Sequence, residues 1–308
     1  MFDRGINNTE FLDALKAWLP KSGIVGDRDL FIAMRKRTVN VYFQGCSLFE
    51  ISYSGGLQLK THFKYLVRPQ LRSANPYVSW KDGRPDIGAC MGDFFIDRFD
   101  IKSLKKASSW YAEAEKEGVH KIMKSNDNVI DVEIALSQDS QEEEATEERR
   151  GKGRRTADRI DFAALQEKDG MPCVVFFEAK RFDNGELRSK THNPAVIEQV
   201  DRYQKFIERH LKDFETSYRQ VCKNLVELNV DRGNPLVRRV AQTFEQLTID
   251  PAVRLVVFDF DEDQRVGGVW EEHWQVLHDH FGNRLLLKGS PSEFKSGISK
   301  YNLQKAAA

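Results

Sequence analysis

Glu178 and Lys180 stand two positions apart at the end of an apolar run, 173–180 (CVVFFEAK). Side chains two apart on a strand leave the same face, so the carboxylate and the ammonium emerge together. Asp161 belongs to a second strand-like run, 159–166 (RIDFAALQ), and the turn signal Lys168-Asp169-Gly170 joins the two. An antiparallel hairpin of this kind sets Asp161 beside Glu178. Two carboxylates and an ammonium that converge on apolar strands need partners. A divalent cation meets that need, and hard oxygen donors with open positions suit Mg2+ or Mn2+. The main-chain carbonyl of Ala179 is a further donor. Such a metal polarises a phosphoryl oxygen and lowers the pKa of its bound water. Lys180 can position that water or stabilise negative charge at the phosphorus centre. Hydrolysis of a phosphodiester needs these parts and no nucleophilic Ser or Cys.

The elements that must hold these residues follow from periodicity. Phe11, Leu12, Leu15, Trp18 and Leu19 have helical spacing, and Pro20 stops the pattern. Short β-prone runs then follow each other from residue 30 to residue 63, which predicts an antiparallel meander. Residues 68–100 mix Pro, Gly and Asp with aromatics and read as irregular. A boundary near residue 100 divides an N-terminal β-rich module (1–100) from a second domain (101–308). In the second domain, 103–117 reads as a helix ended by Gly118, and 128–137 (NVIDVEIALS) as a half-buried strand. The stretch 138–155 is acidic, then basic, and reads as a loop. A long helix is predicted over 194–214, with Val196, Val200, Tyr203, Ile207 and Phe214 along one stripe. A further helix over 218–228, a buried strand at 254–260, a helix over 270–280 and a last strand at 284–288 complete the pattern.

The order helix, strand, strand with Asp, hairpin, strand ending in Glu-Ala-Lys, helix, strand resembles the PD-(D/E)XK nuclease superfamily over residues 103–288. The resemblance implies an α/β, restriction-endonuclease-like core, a mixed central sheet flanked by helices. It implies Asp161 and Glu178 as the acids and Lys180 as the lysine. Gln199 and Tyr203, in Gln199-Val-Asp-Arg-Tyr203, resemble the QxxxY motif of the RecB-like branch, whose Gln and Tyr lie near metal and DNA. They are one helical turn apart and share a face. Tyr203 also lies on the apolar stripe, which is the pattern of a core residue. Ile160 stands where the strictest pattern has Pro, and Asp158 competes as the first acid. The superfamily often adds an acid from the first helix, for which Glu113 and Glu117 are the candidates, with Glu133 a third in the first core strand. Arg181 and Arg188 are candidates for phosphate contact. The implied activity is Mg2+-dependent cleavage of DNA, in DNA processing or anti-phage defence, with a protein partner or second copy for control. The alternatives are an RNA-directed nuclease and a non-catalytic binding or assembly protein on the same scaffold.

Composition narrows the classes. With 40% hydrophobic and 31% charged residues, the chain is globular and not disordered overall. No apolar run nears the roughly 20 residues that span a bilayer, and the start, MFDRGINNTEF, lacks a signal-peptide pattern. Lys and Arg number 47 against 47 Asp and Glu, which argues against coating nucleic acid by bulk charge. Cys46, Cys90, Cys173 and Cys222 are far apart without a CxxC pair. That spacing argues against a Cys-based zinc site and for a reducing, cytoplasmic setting. Pro85-Asp86 reads as a turn, Asp259 and Asp261 as strand-end charges, and His273, His278 and His280 as surface or packing residues. No P-loop or dinucleotide fingerprint is present. In the N-terminal module Tyr42, Phe43, Phe49, Tyr53, Phe63 and Tyr65 interleave with Arg35, Lys36, Arg37, Lys60 and Lys64. This is either a stacking platform for nucleic acid or a small sheet with an aromatic core.

Overall fold

Two sheets organise the chain in the computed structural model, which describes residues 2–66, 77–86, 96, 98–136, 158–189, 193–243, 247–266, 271–294 and 298. The charged stretch 138–155 and Cys90 lie outside the described residues. The architecture is α/β. Helix α1 (Thr9–Trp18) leads into an antiparallel meander of β1 (Phe31–Met34), β2 (Thr38–Phe43), β3 (Cys46–Tyr53), β4 (Leu57–His62), β5 (Tyr77–Lys81) and β6 (Arg84–Asp86). The last two strands lie where irregular chain was expected. Asp82 (φ 53) and Gly83 (φ 73) make the tight turn between them. Pro85-Asp86 is therefore part of an edge strand and not a turn, and an edge is where a sheet accepts Pro.

The second sheet is mixed, in the order β12-β11-β9-β8-β7. Its strands are β7 (Val129–Ala135), β8 (Arg159–Lys168), β9 (Met171–Arg181), β11 (Arg254–Phe258) and β12 (Leu285–Leu287), with short β10 (Thr248–Ile249) also beside β9. The β7, β8 and β9 pairs are antiparallel, whereas β9, β11 and β12 run parallel. The α-helices that accompany this sheet among the described residues are α2 (Ile101–Ser109), α3 (Ala114–Ser125), α4 (Ala195–Arg209), α5 (Leu211–Glu227), α6 (Pro235–Gln242), α7 (Glu262–Val266) and α8 (Glu271–Phe281).

Two helix predictions are corrected. Residues 103–117 are not one helix: α2 ends at Ser109 and α3 starts at Ala114, with Gly118 inside it. That glycine packs against β11, because a Cβ there would meet Phe258 Cε2 at 2.1 Å. The long helix predicted over 194–214 breaks at His210 (φ −122, ψ 21), and Phe214 belongs to α5.

The larger hydrophobic core runs from Leu15, Val39 and Phe49 through Ile130, Phe176, Tyr203 and Tyr218 to Leu255. A smaller core on the other face of the mixed sheet joins Phe31, Ala33 and Tyr42 to Phe162, Phe177 and Phe258. Both cores draw on residues from each side of position 100. The boundary there marks a change of sheet, not a gap between cores. Phe2 stacks on Phe214 with centroids 3.7 Å apart, and the Ile6 N–H donates to Asn224 Oδ1 at 2.7 Å. Tyr42, Phe49, Phe63 and Tyr65 are buried, so these aromatics are core and form no open stacking platform. No helix among the described residues is long and apolar enough to cross a membrane.

Candidate active site

Strands β8 and β9 pair from Lys168 opposite Met171 to Phe162 opposite Phe177, and Asp161 and Glu178 are the next positions along that ladder. The register is set by the connecting turn, where Asp169 (φ 51) and Gly170 (φ 75) both take the left-handed backbone of a two-residue hairpin. A slip by one residue would send the side chains to the opposite face. Alternation from Ala163 and Leu165, and from Val174 and Phe176, puts Asp161, Glu178 and Lys180 on the face of the larger core.

Asp161 Oδ2 accepts the Ala179 N–H at 2.7 Å. The carbonyl of a strand residue leaves toward the same neighbour as its N–H, so the Ala179 carbonyl is turned toward β8. Lys180 Nζ reaches Glu178 Oε1 at 2.8 Å and Glu186 Oε2 at 2.8 Å. Glu178 is 2% exposed and Lys180 7% exposed, and Glu178 Oε2 has no hydrogen-bond partner among the described residues.

Negative charge is in excess here. Burial pushes the Glu178 carboxyl up to about 7 against the opposing pull of Lys180, with Glu115 and Glu186 adding to the rise. Burial and the Glu178 charge raise Asp161 well above the usual carboxylate range, and Glu133 adds to this. Burial alone would lower the Lys180 ammonium, but Glu178 and Asp161 outweigh it and hold the proton more firmly.

Of the three acids offered by sequence as a further ligand, only Glu133 comes near Asp161. It lies between Val132, opposite Phe162, and Ile134, opposite Ile160. Its backbone is left-handed (φ 50) within a strand, a conformation that costs a non-glycine residue energy unless the surroundings enforce it. Arg35 supplies that hold from the first sheet: Nη2 donates to the Val132 carbonyl at 2.7 Å and to the Glu133 carbonyl at 3.5 Å. Glu113 is exposed at the start of α3, and Glu117 pairs with Lys121 at 3.0 Å. The acid that α3 brings to the site is Glu115, which sequence reasoning missed. It accepts from the Arg181 N–H at 3.1 Å and from Asn184 Nδ2 at 2.7 Å. Glu186 was missed as well, in a loop with no sequence signal.

Gln199 Nε2 donates to the Tyr203 hydroxyl at 2.6 Å. Tyr203 is 1% exposed, so it is a core residue whose hydroxyl faces the site. Burial, then the Glu178 charge, raises its phenol and keeps it neutral. Asp158 lies apart, in a two-pronged pair with Arg202 at 3.1 and 3.2 Å. Arg181 is engaged by Asp259 at 3.0 Å and Asp183 at 3.3 Å. Arg188 donates to the Phe182 carbonyl and lies over its ring.

No group of three or more His, Cys, Asp or Glu among the described residues is arranged to hold a metal ion. Magnesium is commonly held by one or two carboxylates, with water and substrate oxygens completing its shell. Asp161 and Glu178 fit that smaller donor set, and the unpartnered buried Glu178 Oε2 and the excess of negative charge are what a cation would relieve. No family model, curated protein or solved structure matches the chain.

Proposed function

We propose that this chain is a Mg2+- or Mn2+-dependent nuclease that hydrolyses phosphodiester bonds in DNA, with residues 101–308 as a restriction-endonuclease-like core. The observation that carries the reading is the meeting of Asp161, Glu178 and Lys180 on adjacent strands, facing Tyr203 and Gln199. Asp161, Glu178 and the Ala179 carbonyl would hold the cation, with Glu133 beside them. A cation there supplies Lewis acidity and a more acidic bound water. Lys180, kept charged by its acidic neighbours, presents an ammonium to the charge that grows on the phosphoryl oxygens. Glu186 and Glu115 steady the loop and strand end behind it. The neutral phenol of Tyr203, fixed by Gln199, offers a hydrogen bond to substrate. Cys46, Cys173 and Cys222 are buried and form no disulfide among the described residues, which supports a reducing, cytoplasmic setting.

A second reading is a nucleic-acid-binding protein on the same scaffold. The closure of Lys180 on both Glu178 and Glu186, with no cluster of three His, Cys, Asp or Glu side chains arranged for a metal among the described residues, favours it. Incubation of plasmid, linear duplex, single-stranded DNA and RNA with Mg2+, Mn2+ or EDTA separates the two. Metal-dependent cleavage is expected from the wild type, reduced at least about 100-fold in Lys180→Ala. Equal rates for the two proteins would remove the site from consideration. Binding without cleavage of any substrate would establish the second reading.

A further inference from the structure

A cavity of about 310 Å³ opens between the segment before β1, the start of β7 and the turn that joins α5 to α6. None of the carboxylate-site residues lines it. Its volume is at the lower end of small-molecule sites. Ile24, Phe31, Leu225 and Val237 give it an apolar floor.

Three guanidinium groups line the same cavity, Arg28, Arg232 and Arg238. Arg232 lies in the left-handed region (φ 54), and its Nη1 donates to the Met123 carbonyl at 3.0 Å. Its nearest counter-charge is Asp127, at 3.5 Å. Arg28 is exposed and forms no ion pair among the described residues. Burial lowers the Arg232 guanidinium, Asp127 opposes this, and the nearby charge of Arg28 lowers it further. The other charges of the wall are already matched. Asp27 takes Lys105 at 3.2 and 3.0 Å, and Asp231 takes Arg238 at 2.5 Å. Arg28 and Arg232 therefore bring two like charges to one cavity, against the single carboxylate of Asp127, which lies 3.5 Å from Arg232.

We propose that this cavity is a binding site for a small organic anion, a phosphate or a carboxylate on an apolar body. Arg28 and Arg232 take the charged end, since the guanidinium fork matches both groups. Phe31 and Leu225 take the apolar body. The site is independent of the nuclease reading.

Isothermal calorimetry on the full chain in EDTA tests it, with adenosine monophosphate and benzoate as anionic probes and adenosine and benzyl alcohol as their uncharged partners. At least one anion is expected to bind, at least tenfold more tightly than its uncharged partner. Arg28→Ala, an exposed position, is expected to weaken that binding at least tenfold without changing Tm. Val25→Trp, which fills the cavity, is expected to abolish it. Binding of the nucleotide alone assigns a phosphate, and of benzoate alone a carboxylate. Absence of binding by both anions, or binding untouched by both variants, would overturn the proposal.

Discussion

Glu178 gives one oxygen to Lys180 and leaves the other unpartnered at 2% exposure. Burial pushes its carboxyl up to about 7 in the fold against an ordinary 4.5. Between those values the folded state holds a proton that the unfolded chain gives up, so stability falls as pH rises from 4.5 to 7. Glu178→Gln removes this liability. Its Tm at pH 8 is expected to exceed that of wild type by about 2 °C or more, with little difference near pH 4.5. Mn2+ binding, read by calorimetry, is expected to be lost in the same variant. A Tm at pH 8 no higher than wild type would refute the electrostatic account. In the wild type, Mn2+ affinity is expected to rise from pH 6 to pH 8, because the carboxylates must lose their protons first. A flat profile would exclude Glu178 as a ligand. Asp161, Glu178 and Lys180 could be selected from sequence because strand alternation and an Asp-Gly turn are local rules. Glu115 could not, since its place depends on where α3 restarts after α2. Glu186 depends on a loop that folds back onto Lys180.

At the scale of elements, α3 depends on Gly118 for its approach to β11. Gly118→Ala is expected to destabilise by about 1–3 kcal/mol in urea denaturation, as overpacking does. Phe258→Leu in the same chain should recover part of that loss. A fully additive double variant would mean that the two residues do not meet. Sequence reading took this glycine as a helix stop, because spacing alone does not tell a terminus from a close contact. The β8–β9 hairpin was legible because strong apolar runs flank its turn. The β5–β6 hairpin has the same Asp-Gly turn, but its strands are short and include Pro85, so only pairing with β4 reveals it.

Across the whole molecule, Asp131 ties the two sheets together. It is fully buried and meets Arg35 at 2.6 Å, Arg4 at 3.8 Å and the Tyr218 hydroxyl at 3.3 Å. Asp131→Ala removes the carboxylate that two buried guanidinium groups share and is expected to cost about 3–5 kcal/mol. Arg35→Met combined with Asp131→Leu should restore part of this, measured as the denaturation midpoint, since Arg4 still lacks the carboxylate. A loss below about 1 kcal/mol in Asp131→Ala would show that the tie is not structural. The sequence carries no sign of this pairing, because nothing local marks an arginine as buried. Arg35 also sets an order in time. It precedes Asp131 by 96 residues, so the chain up to β6 is made before this carboxylate is. A first sheet made before β7 lacks the Asp131 carboxylate that Arg35 meets in the finished fold, and its full packing is expected to await β7. Nascent chains stalled short of residue 131 should be cut readily by a protease within β1 to β3, and chains stalled well beyond it should resist. Equal protection in both would rule out this timing.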